Sequence, residues 1–235
     1  MDIKKFYKID DQKVSFTRQQ ASLFAKSVAG DFNPLHDVET KRFCVPGDLL
    51  FAVALTELGV SQSMRFSFES MVTEQTVVTL PEKLSEQFIL SDQNNKSMMT
   101  VQCSGEQSNN DKFISSLIEK YVQFSGRTFP EILIDLMQKK GVMINPARPL
   151  IIYKDMVIEI HSFLEGSLDL EFSGASMRVD GKKGSVKLEF NLFVDGQAIG
   201  HGTKDMVVSG LRPFEQSAID SIVDEYNAVK LAYVS

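Results

Sequence analysis

The stretch VPGDLLFAVALTELG, from Val45 to Gly59, constrains the fold more than any other part of the chain. Pro46 stands at its start and Gly59 at its end, the places these residues take at the mouth and the close of a helix. Between them apolar residues fall almost all round the helical wheel, so a helix here has no face to give to water. Other parts of the chain have to enclose it. SMRFSFES follows, alternating Met64, Phe66 and Phe68 with Arg65, Ser67 and Glu69, the period of a half-buried strand. TVVTL, EQFIL and KSMMTVQCS read as further strands, the last two joined by the turn-like SDQNN. Upstream, Thr17 and Gln20 form a capping box, and Ala21, Phe24 and Val28 share one helical face until Gly30 ends it.

The second half repeats this order. SGEQSNNDK, residues 104–112, reads as a loop or linker and leads into Phe113, Leu117, Ile118 and Tyr121 at helical spacing. FPEILIDLMQKKG then sets Phe129, Ile132, Leu133, Leu136 and Met137 on one stripe that closes at Gly141, which predicts the second buried helix there. Strands return in IIYKDMVIEIHSF, GSLDLEFSG, GSVKLEFNLFVDG and QAIGHGTKDMVVSG, and an amphipathic helix closes the chain. The pattern predicts an α+β protein made by an internal duplication, with one unit over residues 1–110 and a degenerate one over 111–235.

With 235 residues, 43% of them hydrophobic, there is material for a sizeable core. The 25 basic and 31 acidic residues are interspersed and leave a net charge of -6, which argues against a broad nucleic-acid surface. Cys44 and Cys103 form no CxxC pair and no metal-ligand cluster with the three histidines, so they are expected to be reduced thiols in a cytoplasmic protein without a metal. The start of the chain lacks the apolar stretch of a secretion signal, and the longest apolar run, Leu49 to Leu55, is far too short to span a bilayer.

Chemistry concentrates in AGDFNPLH, residues 29–36. On one reading these are turn residues only: Asp31 closes an Asx turn, Asn33 and Pro34 bend the chain, and His36 packs at the foot of the next helix. On the other, the turn brings the Asp31 carboxylate to the His36 imidazole, a pair able to hold a water and pass its proton to carbon. The N–H groups near Gly47, at the mouth of the buried helix, then face a thioester carbonyl as it gains negative charge. Elsewhere, His161 and His201 read as structural or exposed, with glycines beside His201 permitting close backbone approach, and Lys182 and Lys183 read as a solvated hairpin tip. No dinucleotide fingerprint, P-loop or serine-centred nucleophile elbow is present.

AGDFNPLH together with Pro46-Gly47 resembles the signature of the MaoC-like enoyl-thioester hydratases and dehydratases, which runs through Ser-Gly-Asp-x-Asn-Pro-x-His and a later His-Gly pair. The specific match covers about residues 17–60, with departures at Pro46, in place of the histidine, and at Asp48. The resemblance implies a double hot dog fold, each half a buried helix wrapped by an antiparallel sheet. It implies reversible hydration of a trans-2-enoyl thioester of fatty acid metabolism to the (R)-3-hydroxyacyl thioester, with Asp31 and His36 catalytic, Gly47 an oxyanion contact and Asn33 shaping the turn. No cofactor is expected beyond the coenzyme A or phosphopantetheine of the substrate. The expected partners are an acyl thioester or an acyl carrier protein and a second copy of the chain. Two other readings of the same groove stand beside it: an acyl-thioester binding or regulatory module without turnover, and a thioesterase.

Overall fold

The computed structural model describes residues 1–234. Its helices are α1 (Arg18–Phe24), α2 (Gly47–Leu58), α3 (Asp111–Gly126), α4 (Leu133–Lys139) and α5 (Gln216–Val234). The first six strands are β1 (Lys8–Asp10), β2 (Lys13–Ser15), β3 (Val60–Phe68), β4 (Val78–Thr79), β5 (Gln87–Ser91) and β6 (Ser97–Ser108). The second half supplies β7 (Val142–Met143), β8 (Ile151–Ile160), β9 (Leu168–Asp180), β10 (Lys183–Val194), β11 (Gln197–Ser209) and β12 (Arg212–Pro213). Ten strands form one antiparallel sheet in the order β1-β2-β4-β5-β6-β3-β8-β11-β10-β9, and β7 pairs with β12 apart from it. The halves meet at the β3–β8 pair, where Met64 faces Ile158 and Phe66 faces Met156. The chain is an α+β double hot dog.

The helix of the first half is as enclosed as its composition requires. Nine of the twelve residues of α2 are buried, Asp48 among them. Phe51 joins the two halves within one continuous core, edge-on to Phe66 of β3 at 5.1 Å and to Tyr121 of α3 at 4.9 Å. Gly59 ends α2 at φ +92, and a Cβ there would stand 2.2 Å from the Asn109 side-chain oxygen, so the helix closes where only glycine fits.

The second long buried helix is not where the stripe in FPEILIDLMQKKG puts it. It is α3, sixteen residues capped by the Asn110 side chain and burying Phe113, Ile114, Leu117, Ile118, Tyr121 and Val122. Pro130 accounts for the difference. A residue before proline is pushed out of the helical region, and Phe129 is extended at φ -113, ψ 132, leaving α4 only Leu133 to Lys139. The polar stretch 104–112 also divides differently, because β6 keeps its pairing with β3 out to Ser108.

The first helix carries the predicted capping box at Thr17 and Gln20. Its last turn, Ala25–Ala29, widens to a π-turn and ends on Gly30 at φ +68. Gly126, ending α3, lies against that end: a Cβ on it would meet the Ala29 carbonyl oxygen at 1.9 Å. The chain leaving each helix from its last turn, AGDFNPLH at 29–36 and SGRTFPEI at 125–132, carries Gly and Pro at the same spacing. The two loops meet between the halves.

Candidate active site

In the first loop one carboxylate serves both readings of the sequence. Asp31 Oδ1 accepts the Asn33 N–H at 2.9 Å, the Asx turn, while Oδ2 stands 3.6 Å from His36 Nε2. Asn33 accepts the Leu35 N–H at 3.1 Å and so caps the short turn Pro34–His36 that brings the imidazole round. His36 is buried, and its Nδ1 lies 2.8 Å from the Cys44 carbonyl, which makes that nitrogen the N–H donor. Burial alone would lower its pKa. The Cys44 contact and the Asp31 carboxylate outweigh burial and raise it to about 9, so the ring is an imidazolium at neutral pH.

At the mouth of α2 the N–H groups of Leu49 and Leu50 turn back to the Pro46 carbonyl, which leaves Gly47 and Asp48 as the open, electropositive end of the helix. Gly47 is held under the stacked rings of Phe68 and Tyr153, 4.2 Å apart; a Cβ on it would touch Tyr153 at 3.0 Å. Asp48 is only 7% exposed. Its Oδ2 accepts the Ser125 hydroxyl at 2.5 Å, while Oδ1 is buried without a hydrogen-bond partner. Burial pushes this carboxyl's pKa up, against the pull of Lys204, Ser125 and His36.

Ser125 and Lys204 come from the second half and were not singled out by the sequence. Ser125, in the last turn of α3, is 4% exposed and accepts a hydrogen bond from Lys204 Nζ, itself 5% exposed. The Thr128 hydroxyl donates to the Ser125 carbonyl at 2.7 Å and pins the turn. Lys204 Nζ lies 4.4 Å from the centre of the Tyr153 ring, whose hydroxyl bonds that of Tyr121. Burial pulls the lysine pKa down while Asp48 and Asp31 hold it up. Both residues were legible in principle: Lys204 shares a strand face with the buried Met206 and Val208, and Ser125 follows Leu117 and Tyr121 at four-residue steps on the buried side of α3.

These groups line a cleft between the halves. It consists of adjoining hollows of about 390 and 420 Å³ that share Asp31, Asn33, Ser125, Ile151, Lys204 and Met206. One arm is walled by Phe32, Phe129, Ile144, Ile222, Tyr226 and Val229, the last three on α5. The other runs past Cys44, Gly47, Asp48, Met71 and Tyr153. The structure thus brings Asp31, Asn33, His36 and Gly47 to one cavity. His201 falls on the opposite face of β11 from Lys204 and, like His161, is exposed, its ring 5.8 Å from that of His161. Lys182 is exposed in the β9–β10 turn and Lys183 opens β10, also exposed. Among the described residues no group of three or more His, Cys, Asp or Glu is arranged to hold a metal, and no helix is long and apolar enough to cross a membrane.

A double hot dog with a polar cluster between its halves is the class of protein that this geometry defines. Over residues 1–217 the chain matches the family described as "Protein of unknown function (DUF3581)", and it belongs to that family. No curated protein matches it. Among solved structures it is similar to a conserved hot dog protein of unknown function from Alicyclobacillus acidocaldarius, at 9% identity and a TM-score of 0.48, over 90% of this chain and 98% of that one. It is also similar to an acyl-CoA thioesterase II from Mycobacterium marinum, at 8% identity and a TM-score of 0.43, over 92% and 99% of the two chains. A putative thioesterase II from Thermobifida fusca matches at 8% identity and a TM-score of 0.44, over 86% and 94%.

The resemblance to MaoC-like enzymes is therefore corrected. The family that matches is DUF3581, and the similar structures bear thioesterase titles where they bear a functional one. The hydratase and hydro-lyase reading falls with it, and the cleft shows why the short motif misled. The carboxylate and imidazole of AGDFNPLH are present, but His36 is buried as a cation with one nitrogen tied to the backbone. At the mouth of α2, where the motif has a histidine before the glycine, this chain has Pro46, and the carboxyl of Asp48 follows the glycine.

Proposed function

We propose that this chain hydrolyses an acyl thioester, a coenzyme A or acyl carrier protein conjugate, in the cleft between its halves. The observation that carries the proposal is Asp48, a carboxylate at the mouth of a buried helix with Oδ1 buried and unpaired. A buried polar atom left without a partner is costly and persists where it has work to do. A hydroxyl placed beside Asp48 loses its proton to the carboxylate as it attacks the thioester carbonyl. The carbonyl oxygen, gaining negative charge, meets the N–H groups at Gly47 and Asp48, and the Lys204 ammonium balances the carboxylate. Asp31, Asn33 and His36 form the wall opposite, His36 and Lys204 offsetting the charge of the two aspartates. The acyl tail lies in the arm lined by Phe32, Phe129 and Ile144, and the thiol arm of the substrate leaves past Met71. Two free cysteines fit a reducing compartment, consistent with the cytoplasm.

Release of free thiol from a series of acyl-CoA substrates, short to long, tests the reading. Wild type is expected to release thiol from at least one of them, and Asp48→Asn to lose about a hundredfold or more of that rate while remaining folded. Binding of acyl-CoA with no thiol release at any chain length would instead make the cleft a carrier site.

A further inference from the structure

We infer that Ser125 is the attacking group, so that the reaction passes through an acyl ester on this side chain. The inference rests on the hydrolase reading above and extends it. Among the described residues Ser125 is the hydroxyl side chain that lines both hollows, the place where the reacting carbon must sit if tail and thiol occupy different arms. Its Oγ donates to Asp48 Oδ2 and accepts from Lys204 Nζ, a base on one side and a cation on the other. All three residues are more than nine-tenths buried. A purely structural role suits this arrangement poorly. Direct contact between Lys204 and Asp48 would pair the two charges better, whereas the interposed hydroxyl separates them and leaves Asp48 Oδ1 with no partner. A nucleophile, its base and an orienting third group within hydrogen-bond reach are what covalent acyl transfer requires.

The two carboxylate oxygens then serve the two half-reactions. Ser125 Oγ attacks the thioester carbon while its proton passes to Asp48 Oδ2, and the lysine cation lowers the energy of the oxygen as charge builds on it. Collapse of the tetrahedral intermediate breaks the C–S bond, and the leaving thiolate takes the proton from Asp48. An oxygen ester remains on Ser125. Water beside Oδ1 next gives a proton to Asp48 and attacks the ester carbon; Ser125 Oγ leaves with that proton. Thiol and carboxylic acid are the products, and no redox step occurs.

The test combines rapid acid quench during acyl-CoA turnover, read by intact mass and peptide mapping, with labelling by a fluorophosphonate, which reports an activated serine without any thioester. The expected result is an acyl adduct on the peptide holding Ser125, fluorophosphonate on the same residue, and loss of both in Ser125→Ala with at least a hundredfold fall in thiol release. In Ser125→Cys an acyl adduct is expected as a thioester. Thiol release with neither adduct nor label, and Ser125→Ala within tenfold of wild type, overturns the serine and leaves the hydrolase standing, with water attacking directly. An acyl adduct on Cys44, whose Sγ lies 3.8 Å from His36 Nδ1, also overturns it. Label on Ser125 with no thiol release removes the hydrolase reading and with it the acyl ester, leaving only an activated serine, and neither label nor release removes the activated serine as well.

Discussion

The loops at 29–36 and 125–132 begin alike, each following a helix that ends in glycine, and then diverge in every residue that carries charge. Asp31, Asn33 and His36 in the first loop stand where the second has Arg127, Phe129 and Ile132. The first becomes an Asx turn and a capped short turn that aims a carboxylate at an imidazole. The second is extended at Phe129, whose ring packs edge-on against Tyr226 at 5.4 Å, and it walls the apolar arm. What the second half does contribute to the polar cluster comes from the first residue of this stretch, Ser125, still in the last turn of α3, and from strand β11, at Lys204. The two halves thus divide the task, one loop polar and the other walling the apolar arm, with the polar cluster assembled across their junction.

The glycines at the start of the loops offer the largest test of this contrast. Gly30 is left-handed but has nothing within 4 Å of a Cβ, whereas Gly126 faces the backbone of Ala29 at 1.9 Å. Gly126→Ala has to push the two loops apart and should destabilise the protein by about 3 kcal/mol or more. Gly30→Ala meets only the conformational penalty, about 1–2 kcal/mol. Denaturant midpoints of the two variants check the order, and equal losses would mean that the loops do not depend on their contact.

Next in size is the charge in the first loop. The pKa of His36 is raised from its ordinary value of 6.5 to about 9, so its protonation stabilises the fold. That stabilisation is complete below pH 6.5, where the unfolded chain is protonated too, falls as pH rises from 6.5, and is gone above about pH 9. The shift corresponds to about 3 kcal/mol. Urea unfolding at pH 6 and pH 9 should show wild type losing about that much, and His36→Asn, which matches the apolar counterpart Ile132 in carrying no charge, losing much less. A variant with an undiminished slope would place the titrating group elsewhere.

How much of this was legible follows from the range of each interaction. The α2 helix and the strands around it declare themselves by local periodicity, and the Thr17 cap and the Asx turn at Asp31 are contacts over two or three residues. The boundary at Pro130 is also local, yet the stripe from Phe129 to Met137 masked it, because helical spacing survives in a segment whose backbone cannot follow it. The cluster is of another kind. Ser125 reaches Asp48 across 77 positions and Lys204 reaches Ser125 across 79, so neither pairing leaves a trace in any window of sequence. Lys204 was hidden further by its neighbour, since His201 draws attention in IGHGTKD while strand alternation turns the lysine inward and the histidine out. The functional motif failed for a related reason: six residues fix a turn, and the chemistry depends on what the rest of the fold brings to it.

The smallest effect concerns how the loops are held by α5. The Tyr226 hydroxyl donates to the Gly30 carbonyl at 3.2 Å and accepts the Phe32 N–H at 3.3 Å, while its ring lies edge-on to Phe32 and Phe129, one from each loop. Burial pushes its pKa up to about 12, so it remains a donor across the working range of pH. Tyr226→Phe keeps the ring contacts with both loops and removes the hydrogen bonds to the first alone. The expected loss is about 1 kcal/mol, the net worth of a hydrogen bond of this kind. Hydrogen exchange should localise it: the Phe32 amide speeds up while amides at 128–132 are unchanged. Faster exchange in both segments would instead mean that the two loops move as one unit, and the division between a polar and an apolar loop would then be chemical without being mechanical.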